Sequence, residues 1–292
     1  MTRFTLALLA GLALSGPALA SPPPYVLDNT EVRDVSAPEL HRDYQIFVSL
    51  PPSYASSKRS YPVVFVTDAN YAFPLIRSIA RRVGDKPPGL EEFVLIGLSY
   101  AKGDTPTFSR NRDYTPTARA AKALKSDMPG RAPVYGEGDG YRRFLANEVL
   151  PLVAKNYRVD MGRKIFIGHS YGSLLGLDIL FKDPGMFEYY VLGSPSLWYE
   201  NGVMLGREKA YAASHRDLKA HVFFAVGGLE RPSRAAPDDD DMVGDLQHFE
   251  ALLKSRRFPG LSVDGRVFED EDHLTVAPRI ITAGLKWALP KK

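Results

Sequence analysis

Between residues 165 and 180 the chain reads Ile165-Phe166-Ile167, then Gly168-His169-Ser170-Tyr171-Gly172, then leucines at 174, 175, 177 and 180. A short apolar run, a G-x-S-x-G pentapeptide and leucines at helical spacing spell strand, sharp turn and helix in immediate succession. The glycines have a steric reason: small residues on both sides of the serine let strand and helix approach closely while the hydroxyl stays exposed. The pentapeptide alone is a weak pattern, and the strand and helix around it give it weight.

Seven further apolar, β-rich runs surround this unit: Glu31 to Val35, Tyr44 to Leu50, Pro62 to Thr67, Phe93 to Ser99, Tyr189 to Leu192, His221 to Val226 and Ser262 to Phe268. With Lys164 to Ile167 they make eight predicted strands. The first two alternate and stand close together, which suits an antiparallel hairpin at a sheet edge; the later ones are nearly all apolar, as in a buried parallel sheet. Helical spacing is clearest over Tyr141 to Tyr157, where Tyr141, Phe144, Leu145, Val149, Leu152 and Val153 share a face, with Asp139 or Gly140 as the expected cap. Gly172 to Lys182, Met242 to Arg257 and Pro278 to Ala288 are further predicted helices. The alternation predicts a single α/β domain, a mostly parallel eight-stranded sheet flanked by helices and antiparallel at its N-terminal edge. The stretch Ala101 to Gly140, rich in Pro and Gly and without strong periodicity, is expected to run over the top of the sheet.

A serine hydroxyl is a poor nucleophile at neutral pH and needs a neighbouring base, which in strand-turn-helix sites of this kind follows the serine in sequence after an acid. His215 lies in a polar helical stretch, His221 opens a strand and His248 sits inside a helical pattern. His273 alone occupies a strand-to-helix loop, where its ring would reach the sheet edge that carries Ser170. The acid that orients it should stand past the strand His221 to Val226, and Glu230 after Gly227-Gly228-Leu229 fits. Its rivals are Asp238, Asp239, Asp240 and Asp241, a charge run that reads otherwise as a solvated loop or a calcium site. The acidic run Glu269 to Asp272 reads as solvated loop rather than metal site. The oxyanion formed during ester attack needs two preorganised N–H donors. These are expected from the Tyr171 backbone and from Ala69 or Asn70 in the loop Asp68-Ala69-Asn70-Tyr71, unless that loop is simply a helix entry capped by Asp68 or Asn70.

The first twenty residues, MTRFTLALLAGLALSGPALA, carry one early positive charge, an apolar run and small residues at Ala18 and Ala20. That pattern predicts a secretory signal peptide cleaved after Ala20, with an uncleaved anchor as the alternative, and a periplasmic or secreted enzyme occupying residues 21–292. The chain has no cysteine, which excludes disulfides, thiolate metal sites and a cysteine nucleophile together. Its formal net charge of +3 drops by one with Arg3. So small an excess argues against a nucleic-acid partner and for a small molecule.

With these residues in place, the chain resembles the esterase family of α/β hydrolases, which includes S-formylglutathione hydrolases (esterase D), feruloyl and acetylxylan esterases, mycolyltransferases and siderophore esterases. The loop Thr67-Asp68-Ala69-Asn70, the segment Arg110-Asn111-Arg112-Asp113-Tyr114-Thr115-Pro116-Thr117, the elbow Gly168 to Gly172 and Ser194-Pro195-Ser196-Leu197-Trp198 carry the resemblance to the siderophore-esterase-like branch. It implies an α/β-hydrolase fold and hydrolysis of carboxylic esters without a cofactor, trilactone siderophores being one substrate class. Ala69 stands where many relatives have Gly, and Ser173 follows the elbow where a second Gly is frequent. Arg110 and Arg112 could bind catecholate or carboxylate groups of an acidic substrate, or could pin their own loop. Trp198 and Tyr199 could line an acyl pocket or close the end of a strand. An acyltransferase shares the acyl-enzyme, and a non-catalytic binding protein could share the fold, so both stand as alternatives.

Overall fold

A computed structural model of the protein describes residues 23–83, 89–118, 126–233, 237 and 240–291. The predicted signal peptide and the acidic residues Asp238 and Asp239 lie outside the described residues.

All eight expected strands form: β1 (Thr30–Ala37), β2 (Arg42–Ser49), β3 (Tyr61–Val66), β4 (Val94–Ala101), β5 (Val159–His169), β6 (Tyr189–Gly193), β7 (Ala220–Gly227) and β8 (Leu261–Phe268). They make one sheet in the order β1-β2-β4-β3-β5-β6-β7-β8. β1 pairs antiparallel with β2 and β2 antiparallel with β4, and the remaining strands run parallel. Burial follows the sequence: every residue of β3, YPVVFV, is buried, because a central parallel strand is covered on both faces.

Among the described residues eight α-helices complete the fold: α1 (Ala69–Val83), α2 (Pro106–Asp113), α3 (Gly138–Phe144), α4 (Leu150–Asn156), α5 (Tyr171–Lys182), α6 (Val203–Ser214), α7 (Met242–Ser255) and α8 (Val276–Ala288). They enclose two apolar cores, one on each face of the sheet. Val66, Phe73, Ile76, Ile167, Val191 and Ile280 belong to the face covered by α1 and α8. Phe65, Phe166, Leu174, Leu177, Phe224 and Phe249 belong to the other, covered by α5 and α7 among others.

Three expectations need correction. Tyr141 to Tyr157 is not one regular helix: a π-helical stretch, Leu145–Val149, separates α3 from α4. Pro151 explains it, since its ring would clash with the carbonyl four residues back in a regular α-helix, and a widened turn relieves the clash. Neither Asp139 nor Gly140 caps the start. The helix begins at Gly138, and Asp139 in its first turn bonds Arg142, Arg143 and Lys182 instead. The stretch from Ala101 to Gly140 contains α2, begun by Thr105, whose hydroxyl accepts from the Phe108 amide, and by Pro106 in the first turn.

The topology decides where chemistry can sit. After β3 the chain crosses through α1 to β4 on one side; after β5 it crosses through α5 to β6 on the other. The carboxyl ends of β3 and β5 therefore flank a crevice at which strand order reverses, the place where open α/β sheets bind ligands. Asp68 stands at the end of one strand and Ser170 at the end of the other.

Candidate active site

Ser170 holds φ 58° and ψ −120°, a conformation that a residue with a Cβ adopts only when its surroundings force it. The surroundings are the two glycines. A Cβ on Gly168 would lie 2.4 Å from the Gly172 carbonyl, and one on Gly172 would lie 2.3 Å from Thr67 Oγ1. The strand, the helix and the end of β3 thus meet at contact distances that only glycine permits. Ser173, where relatives often carry glycine, is fully buried, and its hydroxyl bonds the carbonyls of Gly168 at 2.8 Å and Gly193 at 2.7 Å. Both of its neighbours across the turn are thereby tied to the helix start. The Ser170 hydroxyl faces Ser196 Oγ at 3.4 Å.

Glu230 and His273 arrive from two loops held together by another glycine pair. A Cβ on Gly227 would lie 2.3 Å from the Glu271 carbonyl, and one on Gly228 would lie 2.6 Å from Glu269 Cα. That close packing brings Glu230 Oε2 to 2.6 Å from His273 Nδ1. The other oxygen of Glu230 accepts from Ser194 Oγ at 2.6 Å and from the Gly227 amide at 2.7 Å. Burial alone would raise the Glu230 carboxyl, but the bonds from His273, Ser194 and Gly227 outweigh it and hold it below the ordinary value of 4.5. The carboxylate is therefore a fixed anion directed at one nitrogen of the imidazole, which leaves the other nitrogen free to exchange a proton.

Ser170 and His273 line one cavity of about 610 Å³, together with Asp68, Arg110 and His169. His169, the second residue of the pentapeptide, was not singled out in the sequence. Its ring lies 4.7 Å from that of His273, tilted by 42°, and its Nε2 is buried with no hydrogen-bond partner among the described residues. Burial first, then the neighbouring His273, drives its pKa down to about 3. Asp68, read in the sequence as a loop residue or helix cap, is the second such member. At φ 55° its Oδ1 accepts from Arg110 Nε and from Tyr100 OH, both at 2.8 Å.

The remaining predicted residues stand around or outside this cavity. Ala69 and Asn70 are the first two residues of α1, not loop, so their amides lack carbonyl partners within the helix. Neither side chain lines the cavity: Ala69 is buried against Gly97, where a Cβ would come within 2.8 Å of it, and Asn70 Oδ1 accepts from Ser99. Tyr171 opens α5, with its ring 5.7 Å from the Arg110 guanidinium and 6.1 Å from the Trp198 ring. Trp198 lines a separate, smaller cavity of about 230 Å³ with Leu205, His248 and Phe249. Arg112 is 1% exposed and bonds Asp113 through Nε and NH2 and Asp104 through NH1. It ties the α2 segment together, as the second of its two sequence readings has it, and is not among the residues that line this cavity. Of the rival acids, Asp241 caps α7 through the Gly244 amide. Among the described residues no group of three or more His, Asp or Glu is placed to hold a metal ion, and no helix is long and apolar enough to cross a membrane.

Comparison with known proteins agrees with this architecture. The family model described as "Putative esterase" matches residues 37–240. The chain is 28% identical over 271 residues to the ferri-bacillibactin esterase BesA of Bacillus subtilis, covering 91% of each. It is 28% identical over 269 residues to a siderophore enterobactin esterase of Emericella nidulans, covering 83% of this chain and 88% of the relative. Among solved structures, the BES protein from Bacillus cereus superposes with a TM-score of 0.75 at 25% identity, over 93% of this chain and all of the other. The siderophore hydrolase EstA from Aspergillus nidulans gives 0.74 at 25% identity, over 92% and 97%. The chain belongs to the esterase family of α/β hydrolases, in the branch that holds the siderophore esterases, and is an ester-hydrolysing enzyme.

Proposed function

We propose that the protein is an exported serine hydrolase that cleaves carboxylic esters, siderophore-type esters among them, through an acyl-enzyme. The observation that carries this reading is the convergence of a strained Ser170 and a carboxylate-held His273 on one cavity. Ser170 Oγ attacks the ester carbonyl while the free nitrogen of His273 takes its proton, and Glu230 steadies the imidazolium. The negative oxygen of the tetrahedral adduct is held by the Tyr171 amide and by an amide at the start of α1, from Ala69 or Asn70. His273 returns the proton to the departing alcohol, and water then repeats the sequence on the acyl-enzyme. For attack, the Ser170 hydroxyl turns from Ser196 toward His273, a rotation between staggered wells.

The substrate class comes from the relatives' named activities on bacillibactin and enterobactin esters; export comes from residues 1–20, with residues 21–292 as the esterase domain. Mass spectrometry of a trilactone siderophore incubated with the enzyme tests the first. Ring-opened and monomeric products in wild type, and intact trilactone with Ser170→Ala, are expected; equal turnover by both proteins contradicts it. N-terminal sequencing of the protein recovered outside the cytoplasm tests the second, with Ser21 as the expected first residue and a retained Met1 as the contrary result.

A further inference from the structure

The cavity beside Ser170 is larger and more apolar than proton transfer needs. A serine, an imidazole and two amide donors act on one carbonyl, yet about 610 Å³ opens next to them between α1 and α8, a volume typical of a site that encloses a small molecule. Its inner wall consists of Val66, Ala72, Ile167, Ala277, Ile280 and Ile281, none more than 5% exposed. At its rim stand Tyr71, 53% exposed, and Leu274, 78% exposed. Large apolar side chains left in water at the lip of an apolar cleft gain by being covered.

The charges in the wall cancel. Arg110 and Asp68 are in contact at 2.8 Å, so the cation that the sequence offered as an anion receptor is already paired with a carboxylate. An anionic group entering here would meet that carboxylate and lose its own hydration. His169, whose pKa lies near 3, adds no positive charge at neutral pH.

We infer that the α1/α8 cleft receives a neutral, apolar group of the ester, alkyl or un-ionised aryl, adjoining the scissile carbonyl, and that the enzyme selects on the length of that group rather than on its charge. The inference rests on the serine-hydrolase reading and specifies its substrate. Burying a methylene is worth about fourfold in a rate or binding constant, from roughly 0.8 kcal/mol per CH₂.

The test is the rate at which p-nitrophenyl alkylphosphonates label Ser170, followed by intact mass. Methyl, butyl and octyl groups on phosphorus probe the acyl side, and the same series on the alkoxy oxygen probes the alcohol side. In wild type one series should accelerate by about fourfold per methylene until the cleft is full, and a carboxylate at the chain tip should cancel the gain. Ala277→Phe, and separately Ala72→Phe in case the first does not fold, should collapse the octyl-to-methyl ratio from tenfold or more to near one. Two flat series in wild type, a preference for the carboxylate-tipped chain, or an unchanged ratio in both folded variants overturns the inference. If the methyl reagent leaves Ser170 unlabelled, the serine-hydrolase reading fails instead. Calorimetry with octanamide then decides the cleft alone: binding weakened at least tenfold by Ala277→Phe supports it, and no binding at millimolar concentration overturns it.

Discussion

Thr67 and Gly172 approach so closely that a Cβ on the glycine would lie 2.3 Å from the threonine Oγ1. The contact joins the ends of β3 and β5, the strands that carry the proposed oxyanion loop and the proposed nucleophile. Gly172→Ala must push Thr67 or α5 aside. It should destabilise the fold by about 1–3 kcal/mol and lower esterase turnover more than it raises KM, because the displaced parts are those proposed to contact the transition state. Urea denaturation and steady-state kinetics on the same preparation check this; an unchanged kcat would show that the contact does not set the geometry.

Glu230→Gln removes one charge at nearly constant volume. Both oxygens of the glutamate accept hydrogen bonds, from His273 on one side and from Ser194 and Gly227 on the other. An amide NH₂ has to face one of those donors. If it faces His273, Nδ1 becomes an acceptor, the proton moves to the nitrogen that should receive it from Ser170, and kcat should fall about 10³- to 10⁴-fold.

The same carboxyl predicts a pH effect. Its folded pKa lies below the ordinary 4.5, so its contribution to stability is present above that value and is lost as pH falls through the lower folded one. The gap in melting temperature between wild type and Glu230→Gln should therefore be wide at pH 7 and close in strong acid.

His169 adds an acid-sensitive term in a higher range. With a folded pKa near 3 against an ordinary 6.5, the unfolded chain binds a proton that the folded chain refuses. Stability should fall as pH drops from about 6.5 toward 3. Urea midpoints at pH 7, 5.5 and 4.5 should decline more steeply in wild type than in His169→Gln; parallel declines would contradict this.

Arg112 is expected to matter for stability rather than recognition. Its buried guanidinium bridges Asp113 and Asp104; its removal leaves Asp104 to Arg131 at 2.6 Å and the buried Asp113 with only the more distant Arg42, at 3.8 Å, as cation. Arg112→Ala should cost about 3–5 kcal/mol, visible as a lowered melting temperature, with substrate KM unchanged in the fraction that stays folded.

The strands themselves could be read from sequence because apolar runs and one strand-turn-helix unit are local signals, and all eight formed; their order in the sheet has no such local signal. The loops were harder. Asp68 to Tyr71 could be read either as an oxyanion loop or as a helix entry, and Ala69 and Asn70 begin α1, which carries Pro74 on its exposed side, where the missing hydrogen bond costs least. α2 stayed hidden in a polar, Pro-bounded stretch whose buried face includes Arg112 and Asp113, residues that a hydropathy pattern counts as surface.

At the candidate site, sequence order singled out Ser170, Glu230 and His273, and the structure puts the last two 2.6 Å apart. The supporting groups could not be read the same way. His169 and Asp68 acquire their character from burial and from partners distant in sequence, and Ser194, which bonds Glu230 across 36 positions, has no local pattern. Its segment entered only through the family resemblance.

The most direct test of the account is the rate of p-nitrophenyl butyrate hydrolysis by purified wild type, Ser170→Ala and His273→Ala, each verified as folded by its thermal transition. Turnover in wild type and a loss of about 10⁴-fold or more in each variant are expected. Ser170→Ala activity within tenfold of wild type would contradict the assignment of Ser170 as the nucleophile.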